Sequence, residues 1–70
     1  MDRHQIYHSD PDILGGVPVF QGTRVPVHNL LDYLAAGRPL SDFLEGFPGV
    51  SREQAVAFLA LAKDAVLAAA

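Results

Sequence analysis

The chain has no cysteine among its 70 residues. It can therefore form no disulfide, and no thiolate is available to ligate a metal or to attack a substrate. The absence of cysteine suits a cytoplasmic protein. No apolar run approaches membrane-spanning length, and the polar segment 1–5 has no apolar signal-peptide core behind it. We therefore expect a cytoplasmic protein with no membrane partner.

Basic residues are also scarce. Five lysines and arginines stand against eight acidic residues, for a formal net charge of −3. A nucleic-acid-binding domain usually shows a basic patch or stripe, so this balance is unfavourable for such a role, although a local patch remains compatible with it.

Motifs typical of enzymes are absent too. His4, His8 and His28, taken with Asp10 and Asp12, match no zinc-ligand spacing. A catalytic carboxylate pair needs a walled pocket, which a domain of this size does not readily supply. The three serines are better explained as turn and cap residues, and no glycine-rich phosphate loop precedes a helix. We expect no enzyme activity, no catalytic or metal site, no cofactor and no small-molecule substrate.

Apolar residues, by contrast, make up 50% of the chain. A domain this small buries a small fraction of its surface and is marginally stable alone. Some of this apolar surface should therefore be covered by another chain, and oligomerisation is a usual remedy for small domains. We expect one domain, residues 1–70, that forms a homodimer.

The segment 15–27 holds the triplet Val-Pro-Val twice, separated by a turn that carries Arg24. Proline disfavours helix for itself and for the residue before it, so both triplets should be extended. Pro18 and Pro26 donate no ladder hydrogen bond, which excludes them from mid-sheet positions. The segment should be a rigid arm or an edge strand, and edges attract partners.

Residues 1–27 should form a β arm, with strands at 6–8 and 17–20, and residues 28–70 should form three helices. The first helix begins after Pro26, and Gly37 and Pro39 end it. The second covers Ser41–Gly46, with Ser41 as its N-cap. In the third, Ser51 and Gln54 form a capping box, and Val50 can staple onto Ala55.

The third helix is apolar around most of its circumference, so it should be buried on more than one side. Its far half should pack against a second protomer or another protein. The predicted partner and dimer interface comprises Val17, Val19, Phe58, Leu59, Leu61 and Val66.

The last two helices and the tight turn 47–50 match helix-turn-helix geometry. Arg52 and Gln54 then lie where base contacts are made, while Arg24 and Arg38 would contact phosphates. In the alternative reading these are ordinary cap and surface residues, and Arg24 with Thr23 ties down its own turn.

The run Gly-Gly-x-Pro-Val-x-x-Gly-Thr-Arg-Val-Pro-Val, followed by Leu-x-x-Leu-x-x-Gly, resembles the family catalogued as domain of unknown function 433. The matching positions are Asp10, Gly16, Pro18, Val19, Gly22, Thr23, Arg24, Val25, Pro26, Val27, Leu31, Gly37, Pro48, Ser51 and Ala55. The second half of the last helix departs from the family by carrying few charges, which favours packing on protein over reading DNA.

The resemblance implies a mostly α, homeodomain-like three-helix bundle with a short β arm. It also implies the antitoxin half of a type II toxin–antitoxin pair, whose partner is a PIN-like ribonuclease toxin. Two hypotheses follow: an antitoxin that binds the nuclease and, as a dimer, operator DNA, or a dimeric interaction module with no DNA contact.

Overall fold

The computed structural model describes all residues from 1 to 70, and most of them are helical. Its elements, in chain order, are α1 (Arg3–Ile6), β1 (Tyr7–His8), a 3-10 turn (Leu14–Gly16), β2 (Val19–Phe20), α2 (His28–Ala35), α3 (Leu40–Gly46) and α4 (Arg52–Ala69). The two strands form an antiparallel sheet. The predicted helical class and its small ribbon are confirmed, but there are four α-helices where three were expected. No helix combines the length and apolar character needed to cross a bilayer.

The additional helix, α1, is a single turn with a complete capping box. The side chain of Asp2 accepts from the amide of His4, and the side chain of Gln5 accepts from the amide of Asp2. The helix carries Ile6, which is only 2% exposed, into the interior. Four residues give too little periodicity for a sequence pattern to predict a helix.

The end of α2 is set by local chemistry, as predicted. Gly37 adopts the left-handed conformation with a φ of +81°. Its amide donates to the carbonyl of Leu34, and the amide of Arg38 donates to that of Tyr33, both at 3.0 Å. These two bonds define a Schellman motif, and Pro39 then prevents continuation. The start of α3 differs from the prediction, because the helix begins at Leu40 and its N-cap is Pro39 and not Ser41.

Half of the predicted capping box at α4 is present. The hydroxyl of Ser51 accepts from the backbone amide of Gln54 at 3.0 Å, which confirms Ser51 as the N-cap. The side chain of Gln54 does not return to the cap. It donates instead to the carbonyl oxygens of Ile6 at 3.0 Å and Gln21 at 3.1 Å. The capping-box prediction was wrong in this half because two distant carbonyls offer Gln54 buried acceptors.

The core lies between β2, α2, α3 and the N-terminal half of α4. It consists of Phe20, Leu30, Phe43, Val50 and Ala55. The ring centroids of Phe20 and Phe43 are 6.0 Å apart at a tilted angle. The ribbon therefore contributes a central aromatic side chain, and the short sheet is held by this packing rather than by its own hydrogen bonds.

β2 is flanked by other backbone on both sides, which corrects the predicted edge strand. One side of it pairs with β1, and on the other side Val19 bridges Pro26. The amide of Phe20 donates to the carbonyl of Val25 at 2.9 Å, and the amide of Val27 donates to that of Pro18 at 3.0 Å. The prolines fit because Pro18 precedes the strand and only its carbonyl is used.

We expect Gly22→Val to lower the free energy of unfolding by about 1–2 kcal/mol, because a β-branched residue resists a positive φ. Gly22 has a φ of +80°, and nothing lies within 4 Å of the position that a Cβ would take. The cost is therefore conformational and involves no clash. Thermal unfolding followed by circular dichroism measures it.

Gly49→Ala is the matched control. The Cβ that it adds meets Thr23 Cγ2 at an ordinary 3.6 Å, and the backbone there is not left-handed. We expect this variant to melt close to wild type. Equal melting temperatures for both variants and wild type would contradict the strained-turn assignment of Gly22.

Candidate interaction surface

The C-terminal half of α4 extends past the core. The helix packs on the core through Ala55, Phe58 and Leu59. Beyond them, Val66 is 69% and Leu67 is 65% exposed. The last ten residues of an α-helix extend over about 15 Å, so this is a sizeable projection from a small domain. The chain itself therefore leaves this part of the helix uncovered, and its packing against a second protomer or another protein stays a prediction.

Val56 adds to the same exposed surface from the first half of the helix, where it is 49% exposed. Large apolar side chains at this level of exposure, grouped along one helix, are typical of a surface that contacts another chain. The predicted interface did not include Val56 or Leu67. The apolar spacing of the helix did indicate this additional exposed surface, because a helix that is apolar all round has more than one face to cover.

The residues predicted to form the interface do not share one environment. Val66 is exposed, Leu61 is half-buried, and Val17 is 36% exposed just before β2. Phe58 and Leu59 are half-buried and pack on the chain's own core. Val19 is fully buried, so its assignment to an interface was wrong. Val19 lies between β1 and the segment at Pro26, which leaves no surface for a partner to contact.

Gln54, predicted as a base-reading residue, is only 7% exposed. Both hydrogens of its amide are directed at backbone carbonyls of the N-terminal ribbon. A glutamine that reads adenine must offer a donor and an acceptor in the major groove. The structure therefore corrects this assignment, because Gln54 joins α4 to the ribbon and its donors are already used.

The three arginines predicted to contact DNA are all exposed but differ in their contacts. The guanidinium of Arg38 lies 4.5 Å from the ring centroid of Tyr33, and its Nε is 3.4 Å from Oδ2 of Asp42. Arg24 and Arg52 have no ion pair within the chain. Both therefore have their full donor set available for an external anion.

Thr23 supplies the side-chain hydrogen bonds of the turn that holds Arg24. The Thr23 hydroxyl donates to the carbonyl of Phe20 at 2.8 Å and accepts from the amide of Val25 at 3.0 Å. The guanidinium takes no part in these bonds. The alternative prediction was that Thr23 and Arg24 both bond within their own turn. It is confirmed for Thr23 and wrong for Arg24.

The histidines remain apart from one another. Nδ1 of His28 lies 3.2 Å from Oδ2 of Asp32 on the surface of α2. Nδ1 of His8 is buried without a hydrogen-bond partner. No group of three or more histidine, aspartate or glutamate side chains comes together in a metal-binding arrangement.

Comparison with known proteins places the chain in a family. Over 50 residues, 71% of this chain, it is 46% identical to the uncharacterized protein y4eO of Sinorhizobium fredii. The matched region is 23% of that protein, so the chain spans about a quarter of the length of this curated relative. No solved structure matches. A family model matches residues 8–62, which run from the end of β1 through β2, α2 and α3 into α4, and the chain therefore belongs to the family described as Protein of unknown function (DUF433).

Proposed function

We propose that this chain is a protein-interaction module that serves as the antitoxin of a type II toxin–antitoxin pair, with a PIN-like ribonuclease as its partner. The observation that carries the proposal is the exposure of Val56, Val66 and Leu67 along α4. Exposed large apolar side chains lower the solubility of a small protein. A partner that covers them removes this cost. The identity of the partner rests on the family resemblance.

The fold proposed for residues 28–70 is a homeodomain-like helix-turn-helix. The connection between α3 and α4 supports it, because only five residues separate the helices and the amide of Val50 donates to the carbonyl of Phe47 at 3.0 Å. A short turn of this kind joins the two helices of that motif.

Self-association is proposed through the uncharged side of α4. Leu61, Ala65 and Ala68 follow spacings of four and three residues, so they share one side of the helix. Leu61 is half-buried and the two alanines are exposed. Small residues allow close approach of a second helix. Sedimentation should report a dimer at micromolar concentration.

DNA contact is the second candidate, and the free guanidinium groups of Arg24 and Arg52 favour it. Against it stand the net charge of −3 and the burial of Gln54. If operator DNA is bound, Arg52→Ala should weaken a specific site by about 1–3 kcal/mol, and Arg24→Ala should reduce the salt dependence of binding. The alternative is an interaction module with no DNA contact, and a salt-titrated assay on the chain's own promoter distinguishes the two.

The central test looks for a PIN-like ribonuclease gene beside the gene of this chain and mixes the two purified products. We expect RNA cleavage to fall to background at an equimolar ratio, because a bound antitoxin occludes or distorts the nuclease site. An unrelated ribonuclease serves as the specificity control and should keep its activity. Undiminished cleavage in the presence of excess chain would rule out the antitoxin function.

A further inference from the structure

Residues 1–8, which we call the N-terminal segment, lie on the rest of the domain as a separate layer. Within the segment, β1 pairs with β2, and α1 packs against α4. Ile6 is 2% exposed, yet it does not belong to the core that β2 and the three longer helices enclose. The segment therefore adds its own buried side chain to a core that other residues build.

The place where the N-terminal segment docks is matched to its sequence. The carbonyl of Ile6 accepts from the side chain of Gln54 and from the amide of Gln21, both at 3.0 Å. The ring of Tyr7 meets that of Phe58 edge to face, with centroids 6.4 Å apart. Every copy of the chain carries both this docking site and the segment that fits it. A second copy is therefore an occupant whose complementarity is already shown by the contacts within one chain.

The loop that joins the N-terminal segment to β2 is bonded only to itself. We call residues 9–17 the hinge loop, and none of them is buried. Its hydrogen bonds run between its own residues, from the amides of Asp12, Ile13, Gly16 and Val17. The hinge loop can therefore open without breaking a hydrogen bond to the rest of the domain.

Three successive residues of the hinge loop are left-handed, with φ values of +52° at Leu14, +68° at Gly15 and +94° at Gly16. Leu14 is the one residue other than glycine with a positive φ. A leucine resists this conformation because its Cβ approaches the following carbonyl oxygen. Leu14 is 50% exposed, so packing around it does little to compensate for the strain. The strain follows from the path that brings β1 back to β2 of the same chain, and an extended hinge loop would relieve it.

We propose that two copies of the chain exchange their N-terminal segments, so that α1 and β1 of each protomer dock on α4 and β2 of the other. The docking contacts are the same in the closed and exchanged states, so the hinge loops decide the balance between them. A strained hinge loop favours the exchange, because Leu14 of both copies relaxes in the dimer. This inference goes beyond the proposed function and does not depend on it.

The hinge loop is long enough for the exchange. Nine extended residues span about 30 Å, which is close to the 31 Å of the protein's longest dimension. Asp10 and Val17 each precede a proline, which disfavours helix and favours an extended backbone. Val17 is extended already, with a φ of −61° and a ψ of 133°. Two domains can thus lie side by side while each holds the segment of the other.

Hinge variants with opposite effects on the strain test the proposal. Sedimentation equilibrium of the full chain should show a concentration-dependent dimer. Leu14→Gly should raise its dissociation constant about a hundredfold, about tenfold for each of the two hinge loops, because glycine is not strained when left-handed. Gly15→Val should lower the constant, because valine resists the φ of +68° and no atom within 4 Å would meet its Cβ.

Gly37→Val is the matched control. Gly37 also has a left-handed backbone, with a φ of +81° and open space around it, but it follows α2 and lies outside the hinge loop. The strain that this variant adds is the same in the closed and exchanged states. We expect a lower melting temperature and an unchanged dimer dissociation constant.

Isotope-filtered NMR of a dimer mixed from labelled and unlabelled chains locates the contact. In the exchanged dimer the Tyr7 and Phe58 rings that meet belong to different chains, so nuclear Overhauser effects between chains should join them. Association through α4 alone would keep this pair within each chain. That result would overturn the exchange, as would a chain that stays monomeric at millimolar concentration or a dimer that Leu14→Gly and Gly15→Val leave unchanged.

Discussion

Phe43→Ala should lower the free energy of unfolding by about 3–5 kcal/mol, the range for deleting a buried phenylalanine. Phe43 is fully buried, and its ring contacts those of Phe20, Tyr33 and Phe47 at centroid distances of 6.0, 5.5 and 5.0 Å. Truncation removes all three aromatic contacts and leaves a cavity. Because small domains are only marginally stable, this loss should leave much of the variant unfolded at 25 °C. Urea titration followed by circular dichroism measures it.

Phe43→Leu provides the graded control. It keeps most of the buried volume and removes the aromatic contacts, so it should cost less than about 1.5 kcal/mol. If Phe43→Ala unfolds at the same urea concentration as Phe43→Leu, the ring does not lie at the centre of a close-packed core, and the assignment of that core is wrong.

Gln54→Ala should lower the free energy of unfolding by about 1–3 kcal/mol, because it removes a donor from two backbone carbonyls and leaves one of them, that of Gln21, without any; the Ile6 carbonyl keeps the amide of Gln21. The Gln54 amide donates to the carbonyls of Ile6 and Gln21 at 3.0 and 3.1 Å. The segment that contains α1 and β1 should loosen before the rest of the domain. Amide hydrogen exchange should then show earlier loss of protection at Tyr7 than at Leu30.

Gln54→Glu sharpens this test. At neutral pH a carboxylate would face two carbonyl oxygens without a hydrogen to donate, so this variant should be less stable than Gln54→Ala. Burial and the two acceptors raise the pKa of the introduced carboxyl above its unfolded value. Its stability relative to wild type should therefore be highest at low pH and fall as the pH rises through that raised pKa.

Glu53→Gln is the neighbouring control, because Glu53 is exposed and makes no ion pair. We expect it to change the free energy of unfolding by no more than about 0.5 kcal/mol. If Gln54→Glu proves as harmless as this control at neutral pH, the buried amide is not the link between α4 and the ribbon.

Some features of this protein depend only on residues close together in the chain. Gly37 and Pro39 end α2, Ser51 begins α4, and Gly22 turns the chain after β2 with a positive φ. Each was predictable because the backbone conformations open to glycine and proline, and the bond from a serine hydroxyl to an amide three residues on, are local properties. The mostly helical class followed from apolar spacing in residues 28–70.

Other features required long-range contacts. The sequence placed Gln54 at a helix start, where it could serve as a cap or as a reader of bases. Its buried bond to Ile6 spans 48 residues, and no local pattern predicts such a partner. Because Val19 follows a proline, the sequence predicts it on an edge strand. The structure buries it instead, because the segment that ends at Val27 returns along the second side of β2.

The apolar character of α4 was evident from the sequence, but the sequence did not show which side of the helix would be buried and which would be exposed. The tertiary structure decided this, because Ala55, Phe58 and Leu59 reach the core, whereas Val56, Val66 and Leu67 stay exposed. Composition determined that this chain carries more apolar surface than so small a domain can bury. Which side chains stay exposed was decided by where the core ends along the helix, since burial depends on what packs opposite each residue and not on the residue alone.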